Sequence, residues 1–320
     1  MEGEDRGEDR DDTTVDTSDV ADLPSDQAPE SSIPLEPAVA EASKDHVSHE
    51  MGMHTEGLRG RSQQRFFDIT EENVGFGYPD ALDVDFNKRA EIDAENLDSR
   101  QINQQLRDLM KRGYGTIVLQ NPGSKHSLAV GILNRLKLHI EGSCGYFACG
   151  LVDGPNISIK GRVGWACGEN MLAGTIVIEK NAGSQFGAAI RGGDLVCKGS
   201  VGARTGIDQK GGSIIVGGDT GSFTGFMMQR GRMIICGNAG KNLGDSMYDG
   251  TIYIGGEPRS LGVDAVWADM TDLDRQWLMR KLRMYEMFPA QGIGHFRKIV
   301  AGKQLWNYDN LEPSEKKLVL

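Results

Sequence analysis

Apolar and polar residues alternate along this chain in a pattern that repeats every nineteen residues. A pair of apolar residues two positions apart begins at Leu138/Ile140 and returns at each step as far as Ile252/Ile254. The intervening pairs are Ile157/Ile159, Ile176/Ile178, Leu195/Cys197, Ile214/Val216 and Met233/Ile235. Residues two positions apart on a β-strand point to the same side. Each unit is therefore predicted to contain one short strand with one buried face.

Glycines keep the same step. One series, which starts at Gly145, continues through Gly164, Gly183, Gly202, Gly221 and Gly240, and a second contains Gly168, Gly187, Gly206, Gly225 and Gly244. A unit of nineteen residues is too short for a strand and a crossover helix, so the repeat predicts an all-β parallel β-helix of about seven stacked coils. The glycines are predicted to form its corners, where glycine adopts positive φ at little cost. A phosphate-binding loop is disfavoured, because a strand rather than a helix follows each group of glycines.

Two helices are predicted to flank the solenoid and to cap its ends. The first spans Ser99 to Lys111, with an apolar stripe at helical spacing, and the second lies in the stretch that begins at Thr271, where Thr271 and Asp274 form a capping box. The predicted organisation is a disordered acidic tail (1–60), a strap and N-terminal capping helix (61–113), the β-helix (114–262) and a C-terminal capping helix with a docking tail (263–320). This tail is expected to dock on the body or on a partner.

The charge distribution supports a disordered N-terminus. The net charge is −11, yet residues 1–60 contain seventeen acidic and four basic residues and contribute −13. Such a segment buries too little apolar surface to fold by itself. Its histidines, His46, His49 and His54, lie near Glu50 and allow a metal site as an alternative, but they are interpreted as part of a solvated linker. The chain has no basic patch typical of nucleic-acid binding, and no apolar run or leader peptide that would indicate a membrane or secreted protein. A cytoplasmic location is expected.

We find no convincing catalytic, cofactor-binding or metal-binding constellation in the sequence. The five cysteines are an odd number and are interpreted as packed thiols. Met171, Met227 and Met228 occupy similar loop positions and form either a methionine ledge for a partner or filling between coils. Arg191 and Arg230 form either a polar interface or solvated corners. Together with Trp306 of the apolar C-terminal tail, these residues are the candidate partner interface.

The repeat resembles the GXGXG domain at the C-terminus of the large subunit of glutamate synthase. The resemblance covers roughly residues 97–270 and rests on stretches such as "LQNPGSKHSLAVGI", "EGSCGYFACG", "GENMLAGTIVI" and "FTGFMMQRGRMIICGNAGKNLGDSMYDGTIYIGG". It implies a right-handed parallel β-helix. The repeat is most similar to that of stand-alone proteins that resemble this glutamate synthase domain. These include the β-helix subunit of methylamine–glutamate N-methyltransferase (N-methylglutamate synthase).

The resemblance implies a non-catalytic subunit that bridges an amidotransferase-like partner and a synthase-like partner. FMN and an iron–sulfur cluster are expected on the synthase-like partner, and no cofactor on this chain. Two alternatives remain open: the equivalent subunit of a formylmethanofuran dehydrogenase-like or formyltransferase-like complex, and a self-sufficient β-helix enzyme that acts on a glycan or acyl group.

Overall fold

The computed structural model describes residues 82–302. The predicted acidic tail, the part of the strap up to residue 81, and Trp306 lie outside the described residues. Eleven strands form one sheet in the order β1-β2-β3-β4-β5-β6-β7-β8-β9-β11-β10. The strands are β1 (Asp85–Asp93), β2 (Tyr114–Gln120), β3 (Lys137–Glu141), β4 (Asp153–Ile159), β5 (Ala173–Ile178), β6 (Asp194–Cys197), β7 (Lys210–Val216), β8 (Arg230–Ile235), β9 (Thr251–Ile254), β10 (Ala265–Ala268) and β11 (Arg297–Ala301).

The strands pair in the register that the nineteen-residue repeat predicts. Strands β3 to β9 are parallel, and Leu138 pairs with Ile157, which in turn pairs with Ile176. The same column continues through Leu195, Ile214, Met233 and Ile252. The predicted parallel β-solenoid of about seven coils is therefore confirmed. Its core contains both apolar residues of each predicted pair, since all fourteen are at most 2% exposed.

The first helix, α1 (Ser99–Lys111), connects β1 to β2 and has the bounds that the sequence predicts. Asp98 caps it: the Asp98 side chain accepts a hydrogen bond from the Gln101 N–H, and the Gln101 side chain accepts one from the Asp98 N–H. Ile102, Leu106 and Met110 are buried in the same core as the coils. The helix therefore extends the apolar core beyond the first full coil.

The second helix, α2 (Asp272–Met284), begins at the predicted capping box of Thr271 and Asp274. It lies against the side of the solenoid, where Trp277, Leu278 and Leu282 pack on the outward residues of β6 to β9. The C-terminal end of the stack is covered differently. There β11 pairs antiparallel with β9, and β10 pairs antiparallel with β11. Within residues 82–302, neither helix is long and apolar enough to span a membrane.

Glycine is required for different physical reasons in the two series. Gly168, Gly187, Gly206, Gly225 and Gly244 have φ between +65° and +73°, as expected for corners. Gly164, Gly183, Gly202, Gly221 and Gly240 have no such left-handed φ. A Cβ at any of these would lie only 2.5–2.7 Å from backbone atoms of the preceding coil. In this series glycine is required by the close approach of neighbouring coils, and the positive φ predicted for it is wrong.

Candidate partner-binding surface

One side of each coil contains no strand and consists of stacked turns. We call this surface the turn face and define it as residues 145–151, 164–170, 183–189, 202–208, 221–227 and 240–246. Within it, backbone N–H groups point alternately toward the next coil and toward the previous coil. The Arg204 N–H donates to Ser222 O of the next coil at 2.8 Å, and the Gly206 N–H donates to Phe186 O of the previous coil at 2.8 Å. The turns are therefore hydrogen-bonded from coil to coil, and they hold their side chains at fixed positions.

Residues with left-handed backbone recur in the turn face at two positions beside the glycines. The first position contains Phe147, Ala166, Gln185, Arg204, Phe223 and Asn242, and the second contains Leu151, Asn170, Ala189, Asp208, Met227 and Ser246. Almost all of these side chains are at least partly exposed. Between the two positions lies an inward column that includes Cys167, Phe186 and Thr205, all 0% exposed. The turn face thus projects the side chains of both positions outward and those of the column between them into the core.

Three aromatic rings form a row at the first turns of this face, the first two stacked and the third tilted by 31°. We call them the aromatic ladder: His126, Tyr146 and Trp165. The ring centroids of His126 and Tyr146 are 4.7 Å apart with an interplanar angle of 13°, and those of Tyr146 and Trp165 are 5.5 Å apart. A Cβ at Gly164 would lie 2.5 Å from the Tyr146 ring, and one at Gly183 would lie 2.6 Å from the Trp165 ring. The rings therefore lie directly on the close-approach glycines.

The aromatic ladder remains largely open to solvent. Tyr146 is 44% and Trp165 is 55% exposed, and neighbouring Phe147 and Leu151 are also exposed. Further along the turn face, Phe223 and Phe226 form an edge-to-face pair 5.8 Å apart, and Met227 next to them is exposed. Aromatic residues and methionine are enriched at protein–protein interfaces. The turn face is therefore the surface of the described residues best suited to contact a partner.

Of the two interpretations of Met171, Met227 and Met228, the structure supports filling between coils for two of the three residues. Met171 and Met228 are 0% exposed and belong to an inward column. The other members of this column are Val152, Ile190, Gln209 and Met247. These two methionines fill the space between coils, and only Met227 is on the surface. Arg191 is exposed, whereas Arg230 is half-buried at the start of β8 beside Lys210. Trp306 lies outside the described residues.

Sequence analysis missed a buried ionic cluster beneath α2. The Lys281 Nζ donates to Asp194 Oδ2 at 2.5 Å, and the Tyr285 hydroxyl donates to the same oxygen at 2.6 Å. Lys281 is 0% and Asp194 is 2% exposed. Burial lowers the pKa of Lys281, while the Asp194 carboxylate opposes that change. Burial and the adjacent Asp194 raise the pKa of Tyr285. Because Lys281 and Asp194 are both buried, the cluster links α2 to β6 and is not accessible to a substrate.

A second polar cluster holds the start of α2. The Tyr253 hydroxyl donates to Asp274 Oδ1 at 2.6 Å, and the Lys298 Nζ donates to Asp274 Oδ2 at 2.9 Å. Burial raises the pKa of Asp274, but hydrogen bonds from Tyr253, Thr271 and Lys298 outweigh it and lower this pKa to about 2. The carboxylate is therefore ionised at neutral pH. It links β9, α2 and β11.

The five cysteines are all free thiols, and four of them are buried. Burial raises the pKa of Cys197 to about 11 and that of Cys236 to about 12. Thiols with such pKa values are poor nucleophiles at neutral pH. Within residues 82–302, no group of three or more His, Cys, Asp or Glu side chains is arranged to hold a metal ion.

Comparison with known proteins gives one finding about the family. The model of a family described as the GXGXG motif matches residues 84–283, which is more than half of the chain. No match was found among curated proteins.

Proposed function

Because the chain belongs to the GXGXG motif family, we propose that it is a non-catalytic scaffold subunit of a glutamate synthase-like complex. Its proposed partners are an amidotransferase-like subunit and a synthase-like subunit that carries FMN and an iron–sulfur cluster. The observation that carries the scaffold role is the turn face. This surface is held rigid by hydrogen bonds between coils and displays Tyr146, Phe147, Leu151 and Trp165 to solvent. A rigid surface with exposed aromatic anchors loses little conformational freedom when a partner binds.

The most specific form of the proposal is the complex that makes N-methylglutamate. The net reaction converts glutamate and methylamine into N-methylglutamate and ammonia. This chain would hold the two partner subunits in a fixed relation and would supply no reacting group. The resemblance of the repeat to stand-alone β-helix subunits supports this choice.

Purification of the intact complex tests the proposal. The full chain, tagged at one terminus, is recovered from its native cells at low salt, and the bound proteins are identified by mass spectrometry and visible absorption. We expect an amidotransferase-like protein and a yellow-brown flavoprotein, and N-methylglutamate formation when glutamate and methylamine are supplied. Recovery of formyl-transferring partners, or glycan turnover by the isolated chain, would refute the proposed function.

A matched pair of variants assigns the interface. Tyr146→Ser with Trp165→Ser removes the aromatic ladder, whereas His139→Ser changes an exposed residue on the strand side of a neighbouring coil. We expect the double variant to lose at least tenfold in recovery of one partner, since aromatic anchors typically contribute ~2 kcal/mol or more each. The His139 variant should retain both partners. Equal recovery with both variants would exclude the ladder as a binding site.

A further inference from the structure

A hydrogen bond to the backbone holds the first ring of the aromatic ladder in place. The backbone N–H of Tyr146 donates to the Nδ1 atom of His126 at 2.8 Å. The same two residues stack, with ring centroids 4.7 Å apart and an interplanar angle of 13°. A Cβ at Gly145 would collide with the His126 ring, so glycine at this position allows the ring to reach the backbone. His126 is therefore positioned by both its ring face and its Nδ1 atom.

This hydrogen bond specifies the protonation state of His126. A backbone N–H can only donate, so Nδ1 must be the acceptor and cannot carry a proton. The neutral imidazole then has its proton on Nε2. In the imidazolium both ring nitrogens are donors, and two N–H groups would face each other across the 2.8 Å contact. The contact with Tyr146 therefore requires the neutral ring.

His139 provides a comparison within the same chain. Like His126 it is exposed, and its Nδ1 atom lies 2.7 Å from the Ser158 hydroxyl oxygen. A hydroxyl group both donates and accepts hydrogen bonds. The Ser158 hydroxyl can therefore donate to the neutral ring and accept from the protonated ring. The same gain of a proton is expected to break the contact of His126 and to preserve that of His139.

Charged and titratable groups approach His126 from the next coil, its own turn and the end of β1. Tyr146 of the next coil is stacked on the ring. The Lys125 ammonium of the same turn donates at 2.8 Å to the carbonyl that follows β1, and it interacts with the Asp93 carboxylate. From α1, the uncharged Asn103 bonds to the carbonyl of the residue after His126. These groups surround the ring in both protonation states, whereas the Tyr146 N–H can bond only to the neutral ring.

We propose that protonation of His126 is a switch for the aromatic ladder. The neutral ring accepts from the Tyr146 N–H and completes the ladder. The protonated ring leaves Tyr146, and the ladder is then reduced to Tyr146 and Trp165. Imidazoles gain their proton between pH 8 and pH 5, so the change falls in this range.

The consequence for a partner rests on the proposed function. A partner that binds the complete ladder should bind at least about threefold more weakly at pH 5 than at pH 8, because the ladder is complete in only a minor fraction of the molecules at pH 5. The switch itself requires no partner and can be tested on the isolated full chain.

A scalar coupling across the hydrogen bond tests the switch directly. The full chain is labelled with heavy nitrogen in histidine and tyrosine only, and NMR measures the coupling between the Tyr146 amide nitrogen and His126 Nδ1. We expect this coupling at pH 8 and its loss at pH 5. The amide signal of Tyr253 in β9 should be the same at both pH values, which shows that the solenoid remains folded.

Two variants separate the switch from a general effect of acid. His126→Asn places an amide oxygen near the position of Nδ1, which accepts from the Tyr146 N–H but does not gain a proton in this range. The Tyr146 amide signal should therefore shift between pH 8 and pH 5 in the parent chain and remain in place in His126→Asn. In His139→Asn it should shift as in the parent.

Three results would overturn the proposal. The first is absence of the coupling at pH 8, and the second is a coupling that persists at pH 5. The third is a loss at pH 5 that is accompanied by a shift of the Tyr253 amide, which would indicate acid unfolding. Proteins recovered with the chain from native cells should be released at least threefold more at pH 5 than at pH 8 from the parent chain, and equally from His126→Asn. Recovery of no partner would refute the proposed function but leave the coupling result intact.

Discussion

The outward residues of the strands differ between the two halves of the solenoid. In β3 and β4 these residues include His139 and Ser158, which are hydrogen-bonded to each other at 2.7 Å on the surface. In β6 to β9 the equivalent residues are Val196, Ile215, Ile234 and Tyr253, all 0% exposed beneath α2. The inward residues are alike in both halves. The two halves therefore differ in whether α2 covers the outward side of their strands.

This comparison shows that the repeat and its covering make separate contributions. The nineteen-residue step specifies the coils and their core, whereas the outward column specifies where a further element packs. An apolar outward column requires a cover, because exposed apolar area costs about 25 cal/mol per Å² relative to burial. The C-terminal half satisfies this requirement with α2. The stability of that half is thus expected to depend on contacts that the N-terminal half lacks.

The largest expected effect is from Asp194→Ala. This change removes the carboxylate that accepts a hydrogen bond from the buried Lys281 ammonium, and loss of one member of a buried ion pair typically costs about 3–5 kcal/mol of unfolding free energy. Urea unfolding monitored by circular dichroism measures it. The triple variant Asp194→Leu, Lys281→Met and Tyr285→Phe should recover most of the loss, because it removes both charges and the hydroxyl that donates to Asp194. A single variant as stable as the parent would contradict the proposed role of this pair.

Trp277→Ala should cost a comparable amount, about 3–5 kcal/mol, since Trp277 is 1% exposed and packs 5.5 Å from the Tyr253 ring. His139→Ala on the uncovered half is the control and should change the free energy of unfolding by less than about 0.5 kcal/mol. Both are measured by urea unfolding. Similar losses in the two variants would remove the distinction between the halves.

Acid should weaken the C-terminal half through Asp274. Its folded-state pKa of about 2 lies below the ordinary aspartate pKa of 3.8, so its contribution is fully present above pH 3.8 and is lost as the pH falls toward 2. The expected loss is about 2 kcal/mol. Unfolding free energies measured between pH 5 and 2 on the parent and on Asp274→Asn test this. The variant should lack this part of the pH dependence, and parallel curves would contradict it.

The smallest expected effect is on the uncovered half. Lys160 forms an ion pair with Glu141 at 2.6 Å on the surface, where its side chain is 67% exposed. Exposed pairs of this kind contribute about 0–1 kcal/mol. Lys160→Ala should therefore lower the urea midpoint only slightly, and less at high salt. A loss as large as that of Asp194→Ala would show that the two halves do not differ in this respect.

The sequence predicted the coils and their register, but two further consequences of the same repeat were missed. The register of β3 to β9 follows from a step that every coil obeys. The same step placed Met171 and Met228 in a column with Val152 and Ile190, so their burial was predictable had that column been followed. Tyr146 and Trp165, nineteen residues apart and each directly after a glycine of the close-approach series, carried a similar signal for the aromatic ladder.

The position of α2 could be predicted only in part. Its apolar face is visible in the sequence, and so is the apolar outward column from Val196 to Tyr253. The pairing of Asp194 with Lys281 joins residues 87 positions apart. It forms only when the helix docks, and a single sequence without a repeat across that distance has no pattern that indicates it.

The central claim is that the turn face holds a partner through the aromatic ladder. The most direct measurement is the mass of the complex recovered from native cells with the parent chain and with the Tyr146→Ser, Trp165→Ser variant, by native mass spectrometry. We predict that the parent chain is recovered with both partner subunits and the variant with at most one, while both chains unfold at the same urea concentration. Recovery of the parent chain alone, or identical complexes from both chains, would contradict this claim.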